Sequence, residues 1–161
     1  AGGVGHIIVE PEGLPCPCGG RGCMERYSSA TGIVNMAREK FNDGNNSKRL
    51  RESADDNPDK ITSELLCDLA KKGDHLSKTI FKEMGKYLGI GFADLINILN
   101  LEMIIVGGGV LPAWEFFVEE AVSQMKQRTY KIPGERVQIV KAGCGNDAGL
   151  LGAAYMAWNR K

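Results

Sequence analysis

GHIIVEPEGLPCPCGGRGCMERYSS, residues 5–29, brings one imidazole and three thiols into eighteen residues, at His6, Cys16, Cys18 and Cys23. Three of the chain's five cysteines fall within eight positions, with Gly19, Gly20 and Gly22 among them. Zn²⁺ takes four tetrahedral nitrogen and sulfur ligands, and a Cys₃His set with no open position is a structural site. A short loop that turns three sulfurs to one point needs backbone angles that residues with a Cβ resist, which accounts for the glycines. Two other readings use the same residues. One is a pair of buried free cysteines with a chance neighbour. The other is a disulfide such as Cys16 to Cys23.

Outward from this loop, helical and strand patterns alternate. His6–Val9 is a short apolar run of strand type, and Pro11–Gly22 is loop. From Met24 the period becomes helical, with Tyr27, Ile33, Val34, Met36, Ala37 and Phe41 on one face. Residues 42–58 are polar and of mixed charge, the pattern of an exposed loop. Ile61–Lys72 is amphipathic and ends at Gly73-Asp74; a longer helix follows from Leu76 to Leu99, more apolar in its second half. Gly85 and Gly89 lie one turn apart in it, and each costs about 1 kcal/mol relative to alanine, so close packing of another backbone is expected there. Met103–Val106 is a β-branched strand followed by Gly107-Gly108-Gly109, and Pro112 opens a helix running to Arg128. Val137–Val140 is a further strand. Asn146-Asp147 caps a last helix, Ala148–Trp158, whose small apolar start suits burial against a sheet. The alternation indicates an α/β domain.

Composition narrows the function classes. The 161 residues suggest one domain, able to bury about 70% of its unfolded surface without a staple. Lys+Arg and Asp+Glu both total 20, without the basic excess of a nucleic-acid footprint. No segment reads as a signal peptide or as long enough to cross a membrane. Cys67, in a helical pattern, and Cys144, in a glycine-rich turn, read as small apolar fillers. This cysteine usage fits a reducing cytoplasm. The chain begins AGGVG without Met and enters a motif at its sixth residue, the look of a piece cut from a longer protein.

Two places are candidates for chemistry. The strand, glycine triplet and helix of MIIVGGGVLP, residues 103–112, can hold phosphate or adenosine on outward N–H groups. It is not a Walker A loop, and Pro112 stands where a dinucleotide fingerprint has its third glycine. Glu25 follows Cys23 by two residues, where the helix dipole alone would favour a carboxylate. A metal-ordered loop over residues 6–25 would also set it beside His6, and a carboxylate paired with an imidazole suits sugar hydroxyls. Asp147 reads as a helix cap.

The run G-H-x-x-V…C-x-C-G-x-x-G-C-x-E, here GHIIVEPEGLPCPCGGRGCME, resembles the signature of the ROK family of bacterial glucokinases, other hexose and N-acetylhexosamine kinases, and sugar-responsive repressors. Similar too are YSS, LLCDLAKKGD, KYLGIGFADLINILNLE, MIIVGGGV and DAGLLGAAYMA, so the resemblance covers most of the chain. It implies an actin-like, ribonuclease-H-like ATPase fold, of which this would be the C-terminal lobe with a zinc-ordered loop. It also implies structural Zn²⁺ on His6, Cys16, Cys18 and Cys23, and sugar contacts from His6 and Glu25. Gly107, Gly108 and Gly109 would lie at the adenosine side of Mg²⁺-ATP, which would phosphorylate a hexose such as glucose. The family's dimers imply a homodimer.

Two departures count. The family carries Glu three residues before the histidine, where this chain has Gly3. The family's D-x-G-x-T phosphate loop and its Asn-Asp pair, which supplies the general base, have no counterpart here. No catalytic base is therefore expected in this chain, and the piece alone should be inactive. The alternatives are a repressor, whose helix-turn-helix would lie elsewhere, and a zinc-ordered interaction module without ligand. Loss of the carboxylate at position 3 favours the repressor; the intact glycine triplet favours the kinase.

Overall fold

A computed structural model of the chain describes residues 3–42 and 48–159. In chain order the helices and strands are α1 (Glu25–Ser28), α2 (Ala30–Asn42), α3 (Lys48–Ser53), α4 (Ser63–Lys71), α5 (His75–Leu99), β1 (Met103–Val106), α6 (Trp114–Lys126), α7 (Lys131–Arg136), β2 (Gln138–Lys141) and α8 (Ala148–Trp158). Short 3-10 turns at Val4–His6, Pro58–Lys60, Leu111–Ala113 and Gly145–Asp147 join them. The fold is α/β.

The core is built around α5. Its Ile80, Phe81, Met84, Leu88, Phe92, Ala93 and Ile96 are buried against α1, α2, α4 and α6. Burial is heaviest in the second half, from Tyr87 to Ile96, as the rise in apolar content implies, and stops at the last turn, where Ile98 and Leu99 are exposed. Asp74 starts α5: its Oδ2 accepts from the Ser77 N–H at 2.9 Å and from the Ser77 hydroxyl at 2.8 Å, satisfying one of the open donors of the first turn. Thr62 does the same for α4, accepting from the Leu65 N–H at 3.1 Å.

Gly85 and Gly89 of α5 have the packing role expected of them. A Cβ at Gly85 would strike the Phe117 carbonyl, and one at Gly89 the Ala121 carbonyl, so α5 and α6 touch backbone to backbone. Asn97, which interrupts the apolar run of α5, clamps the chain after α6. Its amide donates to the Arg128 carbonyl at 2.9 Å and its oxygen accepts from the Tyr130 N–H at 3.1 Å.

β1 and β2 form a two-stranded parallel sheet with Met103 opposite Gln138 and Val106 opposite Lys141. Parallel pairing requires a crossover, and α6 and α7 supply it. Ile104, Val106, Val137 and Ile139 pack on the helical core, while Met103 and Ile105 face outward and are exposed.

Several expectations need correction. His6–Val9 is not a strand: the chain makes a 3-10 turn through His6, and Ile8 forms one isolated antiparallel bridge to Cys23. Residues 42–58 are not all exposed loop. Helix α3 forms there, and Leu50 and Ala54 are buried; residues 43–47 lie outside the described residues. The six-residue α7 was hidden by Pro133 and Gly134. Asp147 occupies the N-cap position of α8 but its side chain makes no capping bond. Cys67 is buried as expected, whereas Cys144 is exposed. Helix α8 has its expected bounds, but none of its residues is buried.

Candidate functional site

The loop before α1 closes through its backbone. The Gly22 N–H donates to the Leu14 carbonyl at 2.8 Å, and the Gly22 carbonyl accepts from the Val9 N–H at 2.9 Å. Gly22 has φ +72°, and a Cβ there would collide with the Glu10 carbonyl, so only glycine permits this crossing. Arg21 donates to the Gly13 carbonyl at 2.7 Å. The Tyr27 hydroxyl accepts from the Leu14 N–H at 2.6 Å, and its ring stacks on Tyr87 with centroids 4.2 Å apart. The loop is thereby fastened to α5. Nothing in the spacing of Tyr27 beyond its helical face announced this role.

These ties bring His6, Cys16, Cys18 and Cys23 together, with one ligand atom from each within 4.8 Å of all the others. The Cys18 and Cys23 sulfurs are 3.6 Å apart, and His6 Nδ1 is 3.7 Å from Cys16 Sγ. Tetrahedral zinc with Zn–S bonds near 2.3 Å separates its ligand atoms by about 3.7 Å, so the donor set and its spacing fit that ion. All five cysteines are free, so the disulfide reading, Cys16 to Cys23, is not realised. Burial pushes the Cys23 thiol up to about 12, and the Cys16 and Cys18 sulfurs add to the rise. The Gly20 N–H, followed by the Cys16 and Cys23 thiols, holds Cys18 below its ordinary value. Without a cation the cluster resists holding three thiolates; a coordinated cation reverses that, since bound thiols are deprotonated.

Glu25 opens α1, and its Oε2 lies 4.0 Å from His6 Nδ1. Nδ1 therefore faces both the sulfurs and the carboxylate, which leaves Nε2 as the free nitrogen of a half-exposed ring. Gly3 is next to the same ring: a Cβ on it would stand 3.5 Å from His6 Cδ2.

Gly107, Gly108 and Gly109 are elsewhere. They follow β1 as an exposed turn in which Gly108 has φ +104°. A Cβ on Gly108 or Gly109 would meet nothing within 4 Å, so the space above the turn is open. Beside it lies a cavity of about 130 Å³ lined by Ile33, Phe81, Gly109, Val110 and Ala113 and by Cys67 and Asp68 of α4. No residue of the Cys/His loop lines it. Sequence spacing gave no sign of this cavity, because α4 and the glycine turn lie some forty residues apart in the chain.

Three comparisons bear on the chain. A glucokinase from Halalkalibacterium halodurans is 32% identical over 97% of this chain and 47% of its own length. A xylose repressor from Caldicellulosiruptor bescii is 28% identical over 97% of this chain and 38% of its own. The crystal structure of a ROK family glucokinase from Streptomyces griseus in complex with glucose and AMPPNP is 30% identical and superposes with a TM-score of 0.79, over 95% of this chain and 50% of that one. The chain thus spans about half the length of the curated glucokinases it matches. The ROK family profile matches residues 1–160, and with the fold and the Cys₃His loop in place, the chain belongs to the ROK family.

Proposed function

We propose that the whole protein carrying this chain phosphorylates a hexose with Mg²⁺-ATP, glucose to glucose 6-phosphate being the leading case. In this reading the chain is the C-terminal lobe of an actin-like kinase. The observation that carries it is the meeting of His6, Cys16, Cys18 and Cys23 with the Glu25 carboxylate beside the imidazole. The likeness to a glucokinase crystallised with glucose and AMPPNP supports both substrates.

Zn²⁺ on the four ligands would hold the loop rigid, a structural duty that requires no open coordination position. His6 would ligate through Nδ1 and present Nε2 to a sugar hydroxyl, with Glu25 accepting from the next hydroxyl. Such paired polar contacts orient the acceptor oxygen for transfer, which is where a kinase gains most of its rate. The adenosine would lie over the Gly107–Gly109 turn, with the base in the neighbouring cavity between α4 and Ala113. The phosphate loop and the general base would come from outside residues 1–161.

The test uses the whole protein. Purification should yield one zinc per chain, and ATP-dependent formation of glucose 6-phosphate should follow. Glu25→Gln should raise KM for the sugar and leave zinc content unchanged; His6→Gln should lose both zinc and turnover. Stoichiometric zinc with no sugar phosphorylation would sink the kinase reading.

The match to a xylose repressor over 97% of the chain supports a second reading, a sugar-responsive repressor of the same family. Gly3, where the family carries a carboxylate, leans the same way. Operator binding by the whole protein, released by a sugar and unaffected by ATP, would establish it.

A further inference from the structure

The three sulfurs of the Cys/His loop are not equally placed. Cys16 and Cys23 are buried, whereas Cys18 is exposed. Cys18 sits in a tight turn that the Cys16 N–H closes onto the Gly20 carbonyl at 2.9 Å. Its Sγ lies 3.6 Å from that of Cys23. Glycines surround the pair. Gly19 has φ +94°, and a Cβ on it would meet nothing within 4 Å; a Cβ on Gly20 would meet only the two sulfurs, at 3.6 and 3.9 Å. A disulfide needs its sulfurs about 2.05 Å apart, so this pair must close by about 1.5 Å. Glycine hinges permit that shift without disturbing α1. Cys16 is a poorer partner for Cys18, because a bond between them would close over Pro17 alone, whose ring fixes φ. Cys16 faces His6 Nδ1 at 3.7 Å instead.

We propose that Cys18 and Cys23 form a reversible disulfide when the protein meets a peroxide, and that this bond empties the metal site. Cys18 Sγ attacks one peroxide oxygen, the O–O bond breaks, and a water leaves, with Cys18 now a sulfenic acid. Cys23 Sγ then displaces the hydroxyl from that sulfur, and it departs as a second water. The two sulfurs lose two electrons and H₂O₂ becomes two waters. The two hydrogens come from the thiols, or from solvent where a cation holds the sulfurs deprotonated. An exposed sulfur meets the oxidant and a buried neighbour resolves it, the arrangement of redox-sensing cysteines. The bond removes two of the four ligands, and His6 and Cys16 alone do not make the closed tetrahedral set of a structural zinc. The ties at Gly22 and Tyr27 do not involve the sulfurs, so the loop stays fastened while His6 loses its anchor. The inference rests on the Cys₃His set holding a metal. It does not depend on whether the whole protein is a kinase or a repressor.

The experiment uses the whole protein, loaded with Zn²⁺ and titrated with hydrogen peroxide. A chromogenic chelator follows released metal, and mass spectrometry maps the blocked thiols after trypsin. Cleavage after Arg21 and Arg26 puts Cys18 and Cys23 in different peptides, so their bond is read directly. The expected result is one zinc lost for each Cys18–Cys23 disulfide formed, with Cys16 still open to alkylation. Dithiothreitol and fresh zinc should restore both thiols and the metal. Cys144→Ser removes the exposed thiol outside the cluster and should leave the release unchanged. Zinc retained while peroxide oxidises Cys144 would overturn the proposal. So would a disulfide through Cys16, or Cys18 carried to the sulfinic acid with no disulfide. A protein that takes up no zinc before peroxide is added ends the metal-site reading and this inference with it; a loaded site that keeps its metal ends only the inference.

Discussion

The helical body from α1 to α6 and the strip formed by β1, β2 and α8 come from one chain but treat their apolar residues differently. In the first, Ile33, Leu66, Phe81, Met84, Phe117 and Met125 all find partners and are almost fully buried. In the second, Met103, Ile105, Leu151, Tyr155, Met156 and Trp158 stay exposed. Local sequence is equally strong in both, since α5 and α8 form with nearly their expected bounds. Secondary structure here follows from the residues of each segment; burial follows from what else is present to pack on them.

Five predictions sharpen or break this contrast. Phe117→Ala should cost about 4 kcal/mol, because its ring is fully buried against the α5 core and meets Trp114 edge-on. Urea unfolding would measure it, and a loss below 1 kcal/mol would mean that the helical body is not closed. Gly89→Leu should cost about 3 kcal/mol, since its Cβ would meet the Ala121 carbonyl and the helices must separate. A neutral or stabilising result, as helix propensity alone would give, would refute the backbone contact.

The Cys/His loop should answer to metal and pH rather than to packing. Cys23→Ser should abolish stoichiometric zinc and speed amide exchange in residues 7–24, with α5 and α6 unaffected. Since Cys23 keeps its proton to about 12 in the metal-free state, zinc must displace that proton. Falling pH restores it, so zinc affinity should drop as pH is lowered and climb as it is raised. A pH-independent affinity would mean that Cys23 is not a ligand. The smallest effect belongs to the strip: Tyr155→Ser in residues 1–161 should change stability by no more than about 0.5 kcal/mol. A loss like that of Phe117→Ala would show that α8 is already covered.

Much of this was legible in the sequence. The 3.6-residue period gave α2, α4, α5 and α6, and β-branching gave β1. The meeting of His6, Cys16, Cys18 and Cys23 could be read from spacing, because so few residue types make a metal-binding set. What failed did so for physical reasons. HIIV looks like a strand, but its neighbour in space is the Gly22 crossing, which offers a single bridge instead of a ladder. KIPGER forms a short helix although Pro133 and Gly134 argue against one; proline in the first turn forfeits a donor that has no helical partner anyway. The orientation of His6, with Nδ1 toward Cys16 and Glu25, required coordinates. So did the exposure of α8, because the apolar composition that signals burial does not say which chain provides the cover.

The Tyr27–Tyr87 stack has a mechanical meaning. Tyr27 grips the loop through the Leu14 N–H and lies flat on a residue of the longest helix. A rotation of α5 would therefore carry Tyr27, and with it the loop that holds His6 and Glu25, in the same direction. If the proposed sugar contacts hold, such a mounting would let a closing cleft change the distance of His6 and Glu25 to the opposite wall but not to each other.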